Sequence, residues 1–272
     1  MLSIPPRYLA IGLGAAGIAI LAALFYFNGF NLGLHREAGQ PPELPAIAPG
    51  TSTAPAPAPS RVEGPPTRLI ALYQGEAITS LNPDPAVAAR VPEARLQQFH
   101  DDLAKLAASV NEDPLLIEDW LSIGFIKKFF NNYAGARDAW EYAKLVRPED
   151  ARVWHNLGML YSLYLKVPGL AEQNLKAAIR LDPLEASYWT ALADLYRYGT
   201  PPRLAAAVTV IQDAIKKLPD DLNLRTYFAE LYVAQGEKAR AIAEYEKALT
   251  ILGSSDAALK FAIEAALSRL RQ

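Results

Sequence analysis

Hydrophobic and polar positions follow three regimes along this chain. The first is an unbroken apolar run. Tyr8 to Phe27 holds 20 consecutive residues without a charge or a proline. A helix of that length measures about 30 Å, the thickness of a bilayer's hydrocarbon core. Tyr8 at one end and Phe25, Tyr26, Phe27 and Phe30 at the other stand where interfacial aromatic residues belong. Residues 8–30 are therefore predicted to form a transmembrane anchor behind a short tail, 1–7. A cleaved signal peptide has a shorter apolar region, about 7–15 residues, followed by small residues at the cleavage site. Here the bulky Phe25-Tyr26-Phe27 occupies that place, which favours an uncleaved anchor. Arg7 precedes the run, and Arg36 follows it with Glu37 alongside. The positive-inside rule thus leans, by a single charge, towards a single-pass protein of an inner (cytoplasmic) membrane with the rest of the chain on the periplasmic or extracytoplasmic side.

The second regime has almost nothing to bury. Within the predicted linker, 31–66, residues 40–66 contain nine prolines interleaved with Ala, Gly, Ser and Thr. Proline holds such a chain extended, to about 80 Å at ~3.1 Å per residue. It reads as a spacer that lifts a domain off the membrane, with docking to a proline-binding module as the other reading. Residues 67–91 form an arm whose structure the pattern leaves open: Leu69 to Tyr73 suits a short strand, a helix start or an extended segment.

The third regime, 92–272, has helical periodicity and repeats itself. Pro114, Pro148, Pro183 and Pro219 are spaced by 34, 35 and 36 residues. Six residues after them come Trp120, Trp154, Trp189 and Arg225. Four further on stand Gly124, Gly158, Ala193 and Ala229, and three beyond those Lys127, Tyr161, Tyr196 and Tyr232. Alanine pairs recur later in each unit: Ala136 and Ala143, Ala171 and Ala178, Ala207 and Ala214, Ala241 and Ala248. A larger apolar residue separates each pair, namely Trp140, Leu175, Ile211 and Tyr245. Small residues let two antiparallel helices approach, and large ones fill the gaps between hairpins. Trp154 is expected to be buried, so that its truncation costs about 3–5 kcal/mol. The one extra residue of the second unit and the two of the third are expected in turns.

These recurring residues resemble the tetratricopeptide repeat (TPR) family over about 117–255. The departures are Lys127, Arg225 and the closing Gly253. The resemblance implies an all-α fold: a right-handed superhelical solenoid of antiparallel helix hairpins, preceded here by one transmembrane helix. The units are placed at about 117–150, 151–185, 186–221 and 222–255, with a capping helix at 256–270 whose Leu259, Ile263 and Leu267 cover the end of the stack. A helix from Pro92 to Val110 precedes the units.

Composition narrows the function. Only three of the 27 basic and three of the 29 acidic residues precede residue 67, which leaves the repeat region near neutral, at 24 against 26. That lacks the basic excess by which proteins hold nucleic acid. There is no cysteine, so disulfides, thiol catalysis and thiolate metal sites are out. His35, His100 and His155 are far apart, and no histidine-based metal site is expected. Gly12-Leu13-Gly14-Ala15-Ala16-Gly17 spells the dinucleotide fingerprint but lies inside the apolar run, without the strand and acidic residue that chemistry needs. No catalytic constellation appears, so the chain is not expected to be an enzyme, and no cofactor is implied.

Function is therefore expected in binding a protein partner, a peptide or a helix. The resemblance implies a concave groove lined by the first helix of each hairpin. Its candidate residues are Leu121, Phe125, Lys128 and Phe129 in the first unit, and Arg152, His155, Asn156 and Met159 in the second. The third adds Asp194 and Arg197, the fourth Tyr227 and Glu230. Leu121 and Phe125 stand where chaperone-binding relatives carry polar residues that clamp a terminal carboxylate, so an apolar-plus-basic surface for a partner with apolar anchors and some acidity is expected instead. For Phe125 and Phe129, packing against the helix at 92–110 is the competing expectation. The two functional readings are a membrane-anchored scaffold or assembly factor that recruits through this groove, and a structural subunit of a larger envelope complex held mainly through its transmembrane helix.

Overall fold

In a computed structural model, the described residues are 71–253 and 256–272, and they contain eleven helices and no strand. The anchor expected at 8–30 and the linker at 31–66 lie outside them. Among the described residues, no helix is long and apolar enough to cross a membrane. A short α1 (Pro85–Ala88) and a long α2 (Glu93–Glu112) lead into four hairpins. These are α3 (Ile117–Phe129) with α4 (Tyr133–Val146), α5 (Ala151–Leu163) with α6 (Pro168–Leu181), α7 (Ala186–Arg197) with α8 (Leu204–Lys217), and α9 (Leu222–Ala234) with α10 (Lys238–Leu252). The last helix is α11 (Ala257–Arg271). Each helix from α2 onward packs on the next, and α5 also touches α7, and α7 touches α9. The first helices of the second, third and fourth hairpins are thus neighbours in turn.

Local chemistry sets the boundaries. Asp150, Glu185, Asp221 and Asp256 accept hydrogen bonds from the backbone N–H of Arg152, Ser187, Leu224 and Leu259, meeting donors that a helix start leaves unpaired. Three of these caps stand two residues after a repeating proline. After Pro114 that place is taken by Leu116, and α3 starts without a side-chain cap. Within each unit one backbone hydrogen bond closes the turn. The carbonyls of Lys127, Tyr161, Tyr196 and Tyr232 accept from the N–H of Asn132, Val167, Arg203 and Glu237 at 2.9, 2.9, 2.7 and 2.9 Å. The extra residues of the second and third units therefore fall in this turn, which lengthens while its closing bond persists. Gly236 reverses the fourth turn at φ +76 with open space around its Cα, a conformation that costs glycine little.

The small and large columns interlock as size complements. A Cβ placed on Gly124 would fall inside the Trp140 indole, and one on Gly158 would collide with Leu175. All eight repeating alanines are fully buried. Trp140, Leu175 and Ile211 are at most 1% exposed, and Tyr245 packs with Ala229 in the last cluster. There Ile263 and Leu267 of α11 close the core, with Leu259 partly buried beside them.

The proline–tryptophan spacing has a specific cause. The indole N–H groups of Trp120, Trp154 and Trp189 donate to the carbonyls of Pro114, Pro148 and Pro183 at 3.0, 2.7 and 2.9 Å. Arg225 does the same to Pro219 through Nε and Nη2, at 3.0 and 2.9 Å. Each large side chain thereby ties its helix to the turn before it. One correction follows for the expected burial: Trp120 is buried, but Trp154 and Trp189 are only half-buried. Trp154 packs against the small cluster of Ala151, Ala178 and Tyr188, with the Lys144 ammonium 5.1 Å from its ring.

Residues 71–84 have no regular structure and form a strap across the first hairpin. Tyr73 packs its ring 5.0 Å from Trp120 and 5.5 Å from Tyr142, and donates its hydroxyl proton to the Glu76 carbonyl. Leu81 is buried, and the Asp84 N–H donates to the Phe130 carbonyl at 2.8 Å. Lys127 is fully buried beneath this strap. It donates to Glu76 Oε1 at 2.6 Å and to the Ala77 and Ser80 carbonyls at 3.0 and 2.6 Å. Asn132 adds bonds to Glu76 Oε1 and the Leu81 carbonyl. Burial would raise the Glu76 carboxyl, but hydrogen bonds from Lys127, Asn132 and Asn82 hold it below the usual carboxylate range. The position that breaks the tyrosine column is thus the one that fastens the arm.

Candidate functional site

The first helices present one laterally continuous face, because residues 33 or 34 apart sit side by side on neighbouring helices. Most polar candidates on that face are engaged with each other. Arg152 grips Glu118 of α3 with Nη2 and Nη1, at 2.6 and 3.2 Å, and also donates to Asp150. His155 lies 4.9 Å from the Tyr188 ring of α7. Burial, with a contribution from the Lys128 charge, lowers the His155 pKa to about 4, against an opposing pull from Glu185. It is neutral at physiological pH. Between α7 and α9, the Tyr227 hydroxyl donates to Asp194 and Arg197 pairs with Glu230 at 3.4 Å.

Two expected groove residues belong to the core instead. Leu121 is 3% exposed and Tyr227 is 0% exposed. Leu121 follows Trp120 on α3 in the main core cluster, and its backbone carbonyl accepts a hydrogen bond from the Trp140 indole N–H. Tyr227 enters the core between α7 and α9, where its hydroxyl donates to Asp194 and the Arg197 guanidinium lies 5.6 Å from its ring. Phe129 stacks on Phe99 of α2 at 5.6 Å and stays 40% exposed. Packing against α2 is thus the observed role of Phe129. Phe125 does otherwise and meets the Trp140 ring edge-on at 5.3 Å.

What remains presented on the face is a patch on the first two hairpins. Phe125 and Met159 occupy equivalent positions of α3 and α5, and both are half-buried. Asn156 is half-buried beside them in the sequence of α5. Lys128 lays its ammonium 5.5 Å from the Phe125 ring and 5.9 Å from Trp140, and burial pulls its pKa down. The patch combines apolar surface, one amide and one cation. Among the described residues, no group of three or more His, Asp or Glu side chains is placed to hold a metal ion. The charge pairing that consumes Arg152, Asp194, Arg197 and Glu230 had no signal in the repeat pattern beyond opposite charges 33 or 34 residues apart.

No family model matches the chain, and no curated protein matches it. Solved structures do. The chain is similar to YrrB, a TPR protein with an unusual peptide-binding site, at 17% identity and a TM-score of 0.46, over 63% of this chain and 86% of that chain. It is similar to TTC0263, a thermophilic TPR protein of Thermus thermophilus, at 19% identity and a TM-score of 0.45, over 65% of this chain and 92% of the other. It is also similar to MamA of Desulfovibrio magneticus RS-1, residues 41 to the end, at 18% identity and a TM-score of 0.48, over 60% and 91%. Its structural neighbours thus include TPR proteins.

Proposed function

We propose that this protein is a membrane-anchored interaction scaffold or assembly factor that recruits a protein partner on the first-helix face of its hairpins. The observation that carries the reading is the patch of Phe125, Lys128, Asn156 and Met159. It keeps apolar and polar groups presented on a face whose other charged candidates pair with one another. Such a surface suits an extended peptide or an amphipathic helix, whose apolar side chains bind by burial and whose polar groups set register. The apolar run at 8–30 supports an inner-membrane anchor, and the Pro/Ala-rich linker supports a reach of tens of ångströms from the bilayer. On this reading the hairpins work on the periplasmic or extracytoplasmic side.

Crosslinking capture in intact cells tests the recruiting face. Phe125→Asp is expected to abolish capture of the partner while the chain remains in the membrane fraction. Capture that survives this change but is lost when residues 8–30 are replaced by an unrelated anchor would contradict the reading. A reporter fused after Gln272 tests the side of the membrane, with activity expected only from a periplasmic reporter.

A further inference from the structure

We infer that the Phe125–Lys128–Met159 patch binds a peptide segment carrying an acidic side chain next to an aliphatic or aromatic one. This rests on the reading of the first-helix face as a partner site, and it specifies the partner's chemistry. The argument is one of charge balance on that face. Arg152 is satisfied by Glu118 and Asp150, Arg197 by Glu230, and Asp194 accepts a hydrogen bond from the Tyr227 hydroxyl. Lys127, the neighbour of Lys128, is turned into the core and committed to Glu76. Lys128 has no such counterpart: among the described residues no carboxylate pairs with it, and its ammonium rests on the rings of Phe125 and Trp140 alone.

A cation partly withdrawn from water and met only by aromatic rings is under-compensated, since ring contacts offset little of its lost hydration. Its lowered pKa has burial as its cause. A carboxylate arriving from a partner would form a charge-assisted hydrogen bond in a site already part-dehydrated, where such bonds are strongest. The nearby His155 is neutral, so it supplies no second positive charge. One ammonium over the Phe125 ring, with Met159 at the equivalent position of the next hairpin, matches one carboxylate with an apolar neighbour. It does not match phosphate groups, which are held by several cations or by a guanidinium fork. The commitment is therefore to an acidic peptide rather than a lipid headgroup.

Peptides displayed on phage, each fused at its C-terminus so that only side-chain carboxylates are offered, would be selected on the full chain in detergent micelles. The expected result is enrichment of Asp or Glu within two residues of Leu, Ile or Phe. Affinity of a selected peptide should fall about tenfold to a hundredfold in Lys128→Met and be lost in Met159→Arg. A second readout needs no ligand: Lys128→Met should leave the unfolding midpoint of the free chain unchanged or raised, because it removes a cation without a counter-ion. Peptides lost in Met159→Arg but showing no acidic preference would overturn this inference and leave the partner site standing. Binding indifferent to Met159→Arg would overturn both. A lowered midpoint in Lys128→Met, or Lys128-dependent binding to phosphatidylglycerol vesicles without any acidic-peptide selection, would also overturn the inference.

Discussion

The first and fourth hairpins each break the repeat with a cation, and they compensate it differently. In the fourth, Arg225 stands in the tryptophan column. It keeps the hydrogen bond to the preceding proline carbonyl and pairs with Glu244 of its own hairpin at 3.1 Å. Glu244 in turn replaces the Ala139, Asn174 or Val210 of the other units. That exchange is internal, and the hairpin remains a self-contained repeat. In the first, Lys127 stands in the tyrosine column, and its partners lie in the strap, about 50 residues earlier. A charge that breaks a repeat marks a contact, and the place of its counter-ion tells whether that contact is part of the repeat or foreign to it.

The sharpest way to break this comparison is to remove the two cations in turn. Lys127→Met strands the Glu76 carboxylate and two strap carbonyls. Truncating one member of a buried pair costs about 3–5 kcal/mol, which urea unfolding should register. A double change with Glu76→Gln should recover part of that loss, giving a coupling energy between the two sites. Repairing the fourth hairpin should have the opposite sign. Arg225→Trp with Glu244→Ala restores both columns and is expected to be neutral or to stabilise by about 1–3 kcal/mol in the same assay. A Lys127→Tyr change, equally faithful to the repeat, should destabilise, because the strap has no use for a phenol there.

Acid provides a third, milder contrast. The folded His155 pKa, about 4, lies below its ordinary 6.5, so the unfolded chain binds more protons between these values. Stability is then full above pH 6.5 and declines as pH falls towards 4, by at most about 1.4 kcal/mol per pH unit. His155→Gln should flatten that part of the thermal-midpoint profile. The lowered Glu76 pKa acts in the next window. Its contribution is present above the ordinary carboxylate range and disappears as pH falls through the folded value, so hydrogen exchange should show the strap opening at more acid pH. The smallest effect belongs to the far end of the array. Phe261 on α11 is 74% exposed, and Phe261→Ser should change stability by less than about 0.5 kcal/mol.

Much of the hairpin array was legible because its signals are periodic and apolar. Trp120, the eight alanines and the Trp140–Gly124 complement announce themselves at fixed spacing, and burial follows from size. Leu121 and Tyr227 were misplaced because adjacent helical positions differ by about 100°, so a residue one step from a core position can face either the partner helix or the surface. Whether Arg152 faces outward or grips Glu118 depends on side-chain rotamers and on a helix 34 residues away. The strap was unreadable for another reason: an extended segment held by backbone carbonyls and one carboxylate has no period. Its only trace was the gap that Lys127 leaves in the tyrosine column.

The proposed recruiting face can be probed with one photo-crosslinking amino acid placed at Met159, and in a separate protein at Leu145. Leu145 is 54% exposed on α4, a second helix. In intact membranes a defined protein adduct is expected from position 159, weakened by Lys128→Glu, with no counterpart from position 145. Identical adducts from both positions would contradict the claim that partners bind on the first-helix face, and an adduct at 159 indifferent to Lys128→Glu would contradict only the acidic preference.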